Sequence, residues 1–187
     1  TASDSQFKKI ELSENQKNEV LKKYHFNKEF LMYTGGIDHR KNIEGLIRSY
    51  ALLTKSIRSE HQLAIVCSIS DDQRLILNSL TKSVGLNENE VIFTGYIPED
   101  DLVSLYNLCK AFIFPSWHEG FGLPALEAMN CGAPVIASNR SSLPEVIGLD
   151  DALFDSLDDN IMSKKIEQIL TDETFRERET NGTNEKN

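Results

Sequence analysis

Two glutamates, Glu119 and Glu127, bracket the segment Gly120-Phe121-Gly122-Leu123-Pro124-Ala125-Leu126. Ionised carboxylates only accept hydrogen bonds, so their natural partners are hydroxyls rather than phosphates, which carry the same charge. The glycines permit a tight turn, and Pro124 suits the first position of a helix, where its missing N–H would be unpaired anyway. Such a turn presents backbone amides and the positive end of a helix dipole, which together favour a phosphate. Amides for phosphate, flanked by carboxylates for hydroxyls, describe a site for a phosphorylated sugar. An ordinary strand-to-helix turn with two solvated glutamates satisfies the same pattern, so at this point both readings stand.

The elements that would position this turn lie on either side of it. Ala111-Phe112-Ile113-Phe114-Pro115 before it and Pro134-Val135-Ile136-Ala137-Ser138 after it read as buried strands, with Gly132 as the stop of the helix between them. The same alternation fills the rest of the chain. Ser13 with Gln16 has the form of a capping box opening a helix through Val20, Leu21 and Tyr24. Phe30-Leu31-Met32-Tyr33-Thr34 reads as a strand ending in Gly35-Gly36. A helix from Asn42 then carries the stripe Ile43, Leu46, Ile47, Tyr50 and Leu53. Residues 62–67 read as a strand, and Asp71 is expected to cap a helix burying Leu75, Ile76, Leu80 and Val84. Residues 91–94 form a third strand, and 98–110 a helix with Leu102, Leu105, Tyr106 and Cys109 on one face. A short helix opens at Ser142-Leu143-Pro144-Glu145, Ala152-Leu153-Phe154 reads as an edge strand, and 159–170 as a last helix.

Strands separated by helices of this length imply an α/β, doubly wound parallel sheet of about six strands, Rossmann-like, with helices on both faces. Near-continuous apolar runs agree with strands covered on both sides. Ligands bind such sheets beyond the C-terminal strand ends, which places the candidate loops at 35–41, 68–71, 95–98, 116–123 and 138–142. Residues 1–12 are polar at the start and read as a linker, 13–179 as one domain, and 180–187 as a disordered polar tail.

Glu119 and Glu127, with Gly-Phe-Gly-Leu-Pro between them and Pro115-Ser116 before them, resemble the paired-glutamate motif of retaining GT-B glycosyltransferases. This is the large group 1 or family 4 set that includes bacterial mannosyltransferases, other hexosyltransferases and sucrose synthases. The resemblance runs from about residue 30 to about residue 170 and covers the C-terminal, donor-binding half of such an enzyme. It implies that the substrate is a nucleoside-diphosphate sugar, GDP- or UDP-linked, with no cofactor and no metal. An N-terminal acceptor-binding domain of the same enzyme would lie outside this sequence, which alone would be inactive. It further implies that Gly35-Gly36-Ile37-Asp38-His39-Arg40-Lys41-Asn42 is the glycine-rich turn carrying the basic pyrophosphate ligands. Lys41 matches the family lysine ahead of the helix. Many relatives place an arginine directly after the first glycine, where this chain has Gly36, and Arg40 is the candidate stand-in. By the same resemblance the amides around Phe121, Gly122 and Leu123 hold phosphate, Glu127 holds the ribose, and Glu119, the catalytic candidate, holds the transferred sugar. Gly95-Tyr96-Ile97-Pro98 matches the segment whose backbone meets the base.

Composition sets further bounds. The 187 residues carry a formal net charge of −9, with 40% hydrophobic and 26% charged residues. That is ordinary for a soluble globular chain, and it argues against a general nucleic-acid binder. An anionic donor must then be met by local cations. No apolar run approaches membrane-spanning length and no signal peptide is visible, which reads as a cytoplasmic chain, peripheral to the membrane at most. Cys67, Cys109 and Cys131 lie in apolar or helical contexts and read as buried free thiols, and the four histidines show no ligand spacing. Three other residues have double readings. His118 beside Glu119 could be an acid or base, Arg140 could face the phosphates or solvent, and Cys67 stands where many relatives have glycine. The rival functions are a sugar-nucleotide epimerase or phosphorylase-like enzyme on the same architecture, and a nucleotide-binding regulatory module without transfer activity.

Overall fold

Short apolar runs become strands here because both of their faces can be covered. In the computed structural model, which describes residues 5–181, they are β1 (Glu29–Thr34), β2 (His61–Val66), β3 (Val91–Phe93), β4 (Ala111–Phe114), β5 (Val135–Ser138) and β6 (Leu153–Phe154). One parallel sheet results, in the order β3-β2-β1-β4-β5-β6. Leu31 lies beside both Leu63 and Ala111, and Phe112 beside Val135. The chain winds outward in one direction from β1 and in the other from β4. The crevice beyond the C-terminal ends of β1 and β4 is therefore the switch point of the sheet.

Right-handed crossovers that run in opposite directions put their helices on opposite faces. On one side α2 (Ile43–Ala51) packs on α4 (Asp71–Ser83) and α8 (Asp159–Thr171), with α9 (Glu173–Asn181) against α8. On the other, α1 (Glu14–Lys23) packs on α5 (Glu99–Leu108), α5 on α6 (Leu123–Asn130), and α6 on α7 (Leu143–Ile147). The core between them is fully buried around Leu31, Met32, Tyr33, Leu63, Phe112, Ile113 and Phe114. Tyr33, Phe114, Phe112 and Tyr106 form a continuous file of rings through it.

The doubly wound sheet and the helix at each expected place are confirmed, including the reciprocal Ser13–Gln16 capping box of α1. Several details differ. Ser70, not Asp71, is the N-cap of α4, in a second capping box with Gln73. That start fixes the helical phase so that Leu77 and Thr81 are buried while Leu75 and Ile76 face solvent. Leu80 and Val84 of the expected stripe pack on the core, and Leu77 takes the place of Leu75 and Ile76, because three consecutive apolar residues at 75–77 fit more than one phase. The helix α3 (Lys55–Glu60) was not expected, because it is polar and buries no residue fully. Pro124 occupies the second position of α6 and Leu123 the first.

Both ends of the described chain are more structured than a linker and a tail. Phe7 is buried edge-on against Tyr106, and the backbone around it is pinned to α5: Ile10 N–H donates to Asn107 Oδ1, and Asn107 Nδ2 to the Lys8 carbonyl. Helix α9 continues through Asn181, with the Thr180 hydroxyl donating to the Arg176 carbonyl. The rest of the expected tail, 182–187, and residues 1–4 lie outside the described residues.

Helix α9 also buries Glu179, whose Oε2 has no hydrogen-bond partner among the described residues. Burial pushes its carboxyl up to about 6. A carboxyl raised above its unfolded value adds stability only while protonated, so the contribution is full below about pH 4.5 and lost as pH rises through 6. Glu179→Gln is therefore expected to raise stability at pH 7.5 by about 1 kcal/mol and to match the wild type near pH 4. Denaturant midpoints at both pH values check this. A gain that persists unchanged at pH 4 would refute it.

Candidate functional site

The site is assembled by two loops at the switch point. After β1, Gly35 takes φ +145°, and a Cβ there would lie 2.8 Å from the Tyr33 hydroxyl. That hydroxyl donates to the Gly36 carbonyl at 2.6 Å, bending the loop back over the end of the strand. A single 3-10 turn, His39–Lys41, follows, capped by the Asp38 side chain on Arg40 N–H. Asn42 closes it in the left-handed region at φ 56°. Its buried side-chain amide donates to the Pro115 carbonyl at 3.3 Å and to the Ser156 carbonyl at 2.9 Å.

The loop after β4 is stitched to the first. Trp117 N–H donates to the Arg40 carbonyl, the Trp117 indole donates to the Ser156 carbonyl, and the His39 ring sits edge-on to Trp117. These contacts bring the Lys41 ammonium to 2.6 Å from Glu119 Oε1, with the two side chains only 16% and 9% exposed. The loop after β5 holds the Glu119 backbone from the other side. The Ser141 hydroxyl donates to the Glu119 carbonyl at 2.7 Å, and Ser142 reaches the same oxygen at 3.4 Å.

Gly122 then turns the chain into α6 at φ +75°, where a Cβ would meet Leu143 Cδ2 at 2.8 Å. It is the N-cap of α6 and, being glycine, supplies no side-chain cap; Pro124 has no N–H and Ala125 N–H donates to the Gly122 carbonyl, so the Leu123 amide is the one at the helix start left for another acceptor. One turn on, Glu127 Oε2 accepts from the Tyr106 hydroxyl at 3.0 Å. Tyr106 is fully buried, and burial together with the Glu127 charge pushes its phenol far above the ordinary range, so it remains a donor.

Of the residues singled out in sequence, Lys41 and Glu119 are brought into direct contact, and Gly35, Gly36 and Gly122 form the turns around them. Phe121 and Leu123 are exposed at the start of α6, Tyr96 is exposed at the end of β3, and Ile97 packs into the core. Arg40 does not join the pair. Its guanidinium forks onto Asp38, Nε to Oδ1 at 2.9 Å and Nη2 to Oδ2 at 3.5 Å, and holds that carboxyl below the ordinary range. A Cβ on Gly36 would lie 3.4 Å from Lys41 Cε, so a side chain at that position would stand beside Lys41. His118 is exposed, Arg140 pairs with Asp155 at 3.3 Å, and burial pushes the Cys67 thiol up to about 11, which keeps it neutral.

Asn42, Trp117, Ser141 and Ser142 lie in or directly beside the candidate loops but carry no assigned role there, and Ser156 lies outside them; all five position the pair rather than form it.

Sheet order, switch-point crevice and glutamate motif together define the C-terminal half of the GT-B architecture. The chain belongs to the glycosyl transferases group 1, whose family model matches residues 14–186. It is 42% identical over 175 residues to the serotype-specific mannosyltransferase WbdA of Escherichia coli, covering 94% of this chain and 22% of that protein. It is 40% identical over 159 residues to the O-antigen chain mannosyltransferase B of Escherichia coli, covering 84% of this chain and 41% of that one. The chain thus spans less than half the length of these curated relatives. Among solved structures, the C-terminal domain of the group 1 glycosyl transferase LpcC from Francisella tularensis superposes with a TM-score of 0.81 at 21% identity, over 99% of this chain and 95% of that one.

Proposed function

We propose that this chain is the donor-binding domain of a retaining hexosyltransferase that takes a nucleoside-diphosphate sugar, with mannose as the transferred sugar. The observation that carries the reading is the Lys41–Glu119 contact at the switch point. It sets one cation suited to a pyrophosphate directly against one acceptor suited to sugar hydroxyls. In this reading Lys41 and the amides opening α6 hold the pyrophosphate, Glu119 the sugar and Glu127 the ribose. Arg40 joins only by releasing Asp38. As the diphosphate departs it gains charge, and fixed cations and amides stabilise that charge more than the ground state, which is how they raise rate. Mannose rests on the similarity to the two Escherichia coli mannosyltransferases. Transfer to an acceptor is assigned to the longer protein, because closing a second domain over the donor positions the reactants and excludes water.

A melting-temperature screen of GDP-, UDP- and ADP-sugars tests the reading, since a ligand that binds only the folded state raises the melting point by mass action. GDP-mannose is expected to give an upward shift, and the shift to persist in chelator, because Lys41 and the helix amides already supply positive potential. The proposal fails if no nucleoside diphosphate moves the transition, and its metal-independent form fails if magnesium or manganese is required.

A further inference from the structure

The hydroxyl of Tyr106 has no part in the proposed chemistry, yet it lies 3.0 Å from a carboxylate oxygen of Glu127. We propose that Tyr106 is a positioning residue for donor binding: its buried hydroxyl fixes the orientation in which the Glu127 carboxylate meets the ribose diol. The inference rests on the ribose assignment of Glu127 made above.

What the hydroxyl supplies is rigidity. A glutamate on a helix surface has three side-chain torsions, and a ligand that uses it must first freeze them. Here one end of the carboxylate is held by a phenol that has no freedom of its own. Tyr106 is fully buried, with Phe7 edge-on to it at 6.0 Å between centroids and Phe112 tilted against it at 5.5 Å. Its donor is therefore fixed by three elements: the segment around Phe7, the helix α5 that carries it, and strand β4 beneath. A site is productive only when its groups are held within about half an ångström by such a supporting layer. Nothing in the fold alone requires a hydroxyl at this place, since Phe7 and Phe112 pack against the ring. A phenylalanine would fill the same space.

The test separates orientation from packing. Dissociation constants are measured by calorimetry on the whole chain for GDP and UDP, each beside its 2′,3′-dideoxy form, which lacks the diol. Tyr106→Phe is expected to bind the ribonucleotides about fivefold to tenfold more weakly while leaving the dideoxy forms unchanged. On a Glu127→Ala background, where no side-chain acceptor is left for the phenol, Tyr106→Phe is expected to cost nothing further. Equal weakening of ribo and dideoxy ligands would overturn the proposal in favour of a general packing role, and unchanged affinity for both would overturn it outright. If Glu127→Ala itself leaves ribonucleotide affinity intact, the ribose assignment fails and takes this inference with it. That outcome is distinguishable from failure at Tyr106 alone.

Discussion

Lys41→Ala and Glu119→Ala are expected to move the affinity for a free nucleoside diphosphate in opposite directions. The two side chains meet at 2.6 Å and are largely screened from water, so each is the other's main partner. A diphosphate must take Lys41 from Glu119, and it also approaches a carboxylate of its own sign. Removing Lys41 deletes a charge-assisted contact worth about 1.5–3 kcal/mol, or roughly tenfold to hundredfold in affinity. Removing Glu119 leaves the ammonium unpaired in a half-buried setting, a cost that the incoming phosphate relieves. Free GDP or UDP is then expected to bind about threefold to tenfold more tightly to Glu119→Ala than to the wild type. The intact sugar donor should not share this gain, because its hydroxyls lose their acceptor. Calorimetry with the diphosphate and with the sugar donor on both variants gives the comparison. If Glu119→Ala weakens free diphosphate as Lys41→Ala does, the carboxylate serves the nucleotide and its assignment to the sugar is wrong.

How much of this was legible in the sequence depends on how local each feature is. The sheet could be read because each strand is an apolar run of a few residues bounded by glycine, proline or a capping serine. The placement of Lys41 and Glu119 in neighbouring loops followed from topology, since both precede helices that leave the switch point. Their direct contact did not follow, because it depends on side-chain bonds between distant positions. Asn42 to Ser156 and Trp117 to Ser156 are examples, and neither asparagine nor tryptophan announces such a partner in its own neighbourhood. The Arg40 fork has a local cause: Asp38, two residues before it, both caps the turn and takes the guanidinium. Phe7 was lost in a stretch whose mean polarity suggested a linker, although one aromatic ring suffices to anchor such a segment against α5.

Gly45→Ala is expected to destabilise the protein, against the usual rule for glycine in a helix. Propensity alone favours alanine over glycine in a helix interior by about 1 kcal/mol, because glycine loses more backbone freedom. At this position, in the first turn of α2, a Cβ would fall on the side-chain amide of Asn42, inside van der Waals contact. An exposed asparagine would simply swing aside. Asn42 is buried, however, and donates to two carbonyls, Pro115 and Ser156, from the loops after β4 and β6. Displacing it strands the Pro115 carbonyl, leaves the Ser156 carbonyl with the Trp117 indole alone, and loosens the anchor just behind Lys41. Overpacking and the lost bonds together are expected to cost about 2–3 kcal/mol, enough to outweigh the propensity gain. The sign should reverse on an Asn42→Gly background. There the left-handed φ of 56° suits glycine, and the space under position 45 is empty. Urea midpoints for the wild type, each single variant and the double variant decide it. A wild-type background in which Gly45→Ala raises the midpoint would show that Asn42 is free to move, and that the two loops are not held together through it.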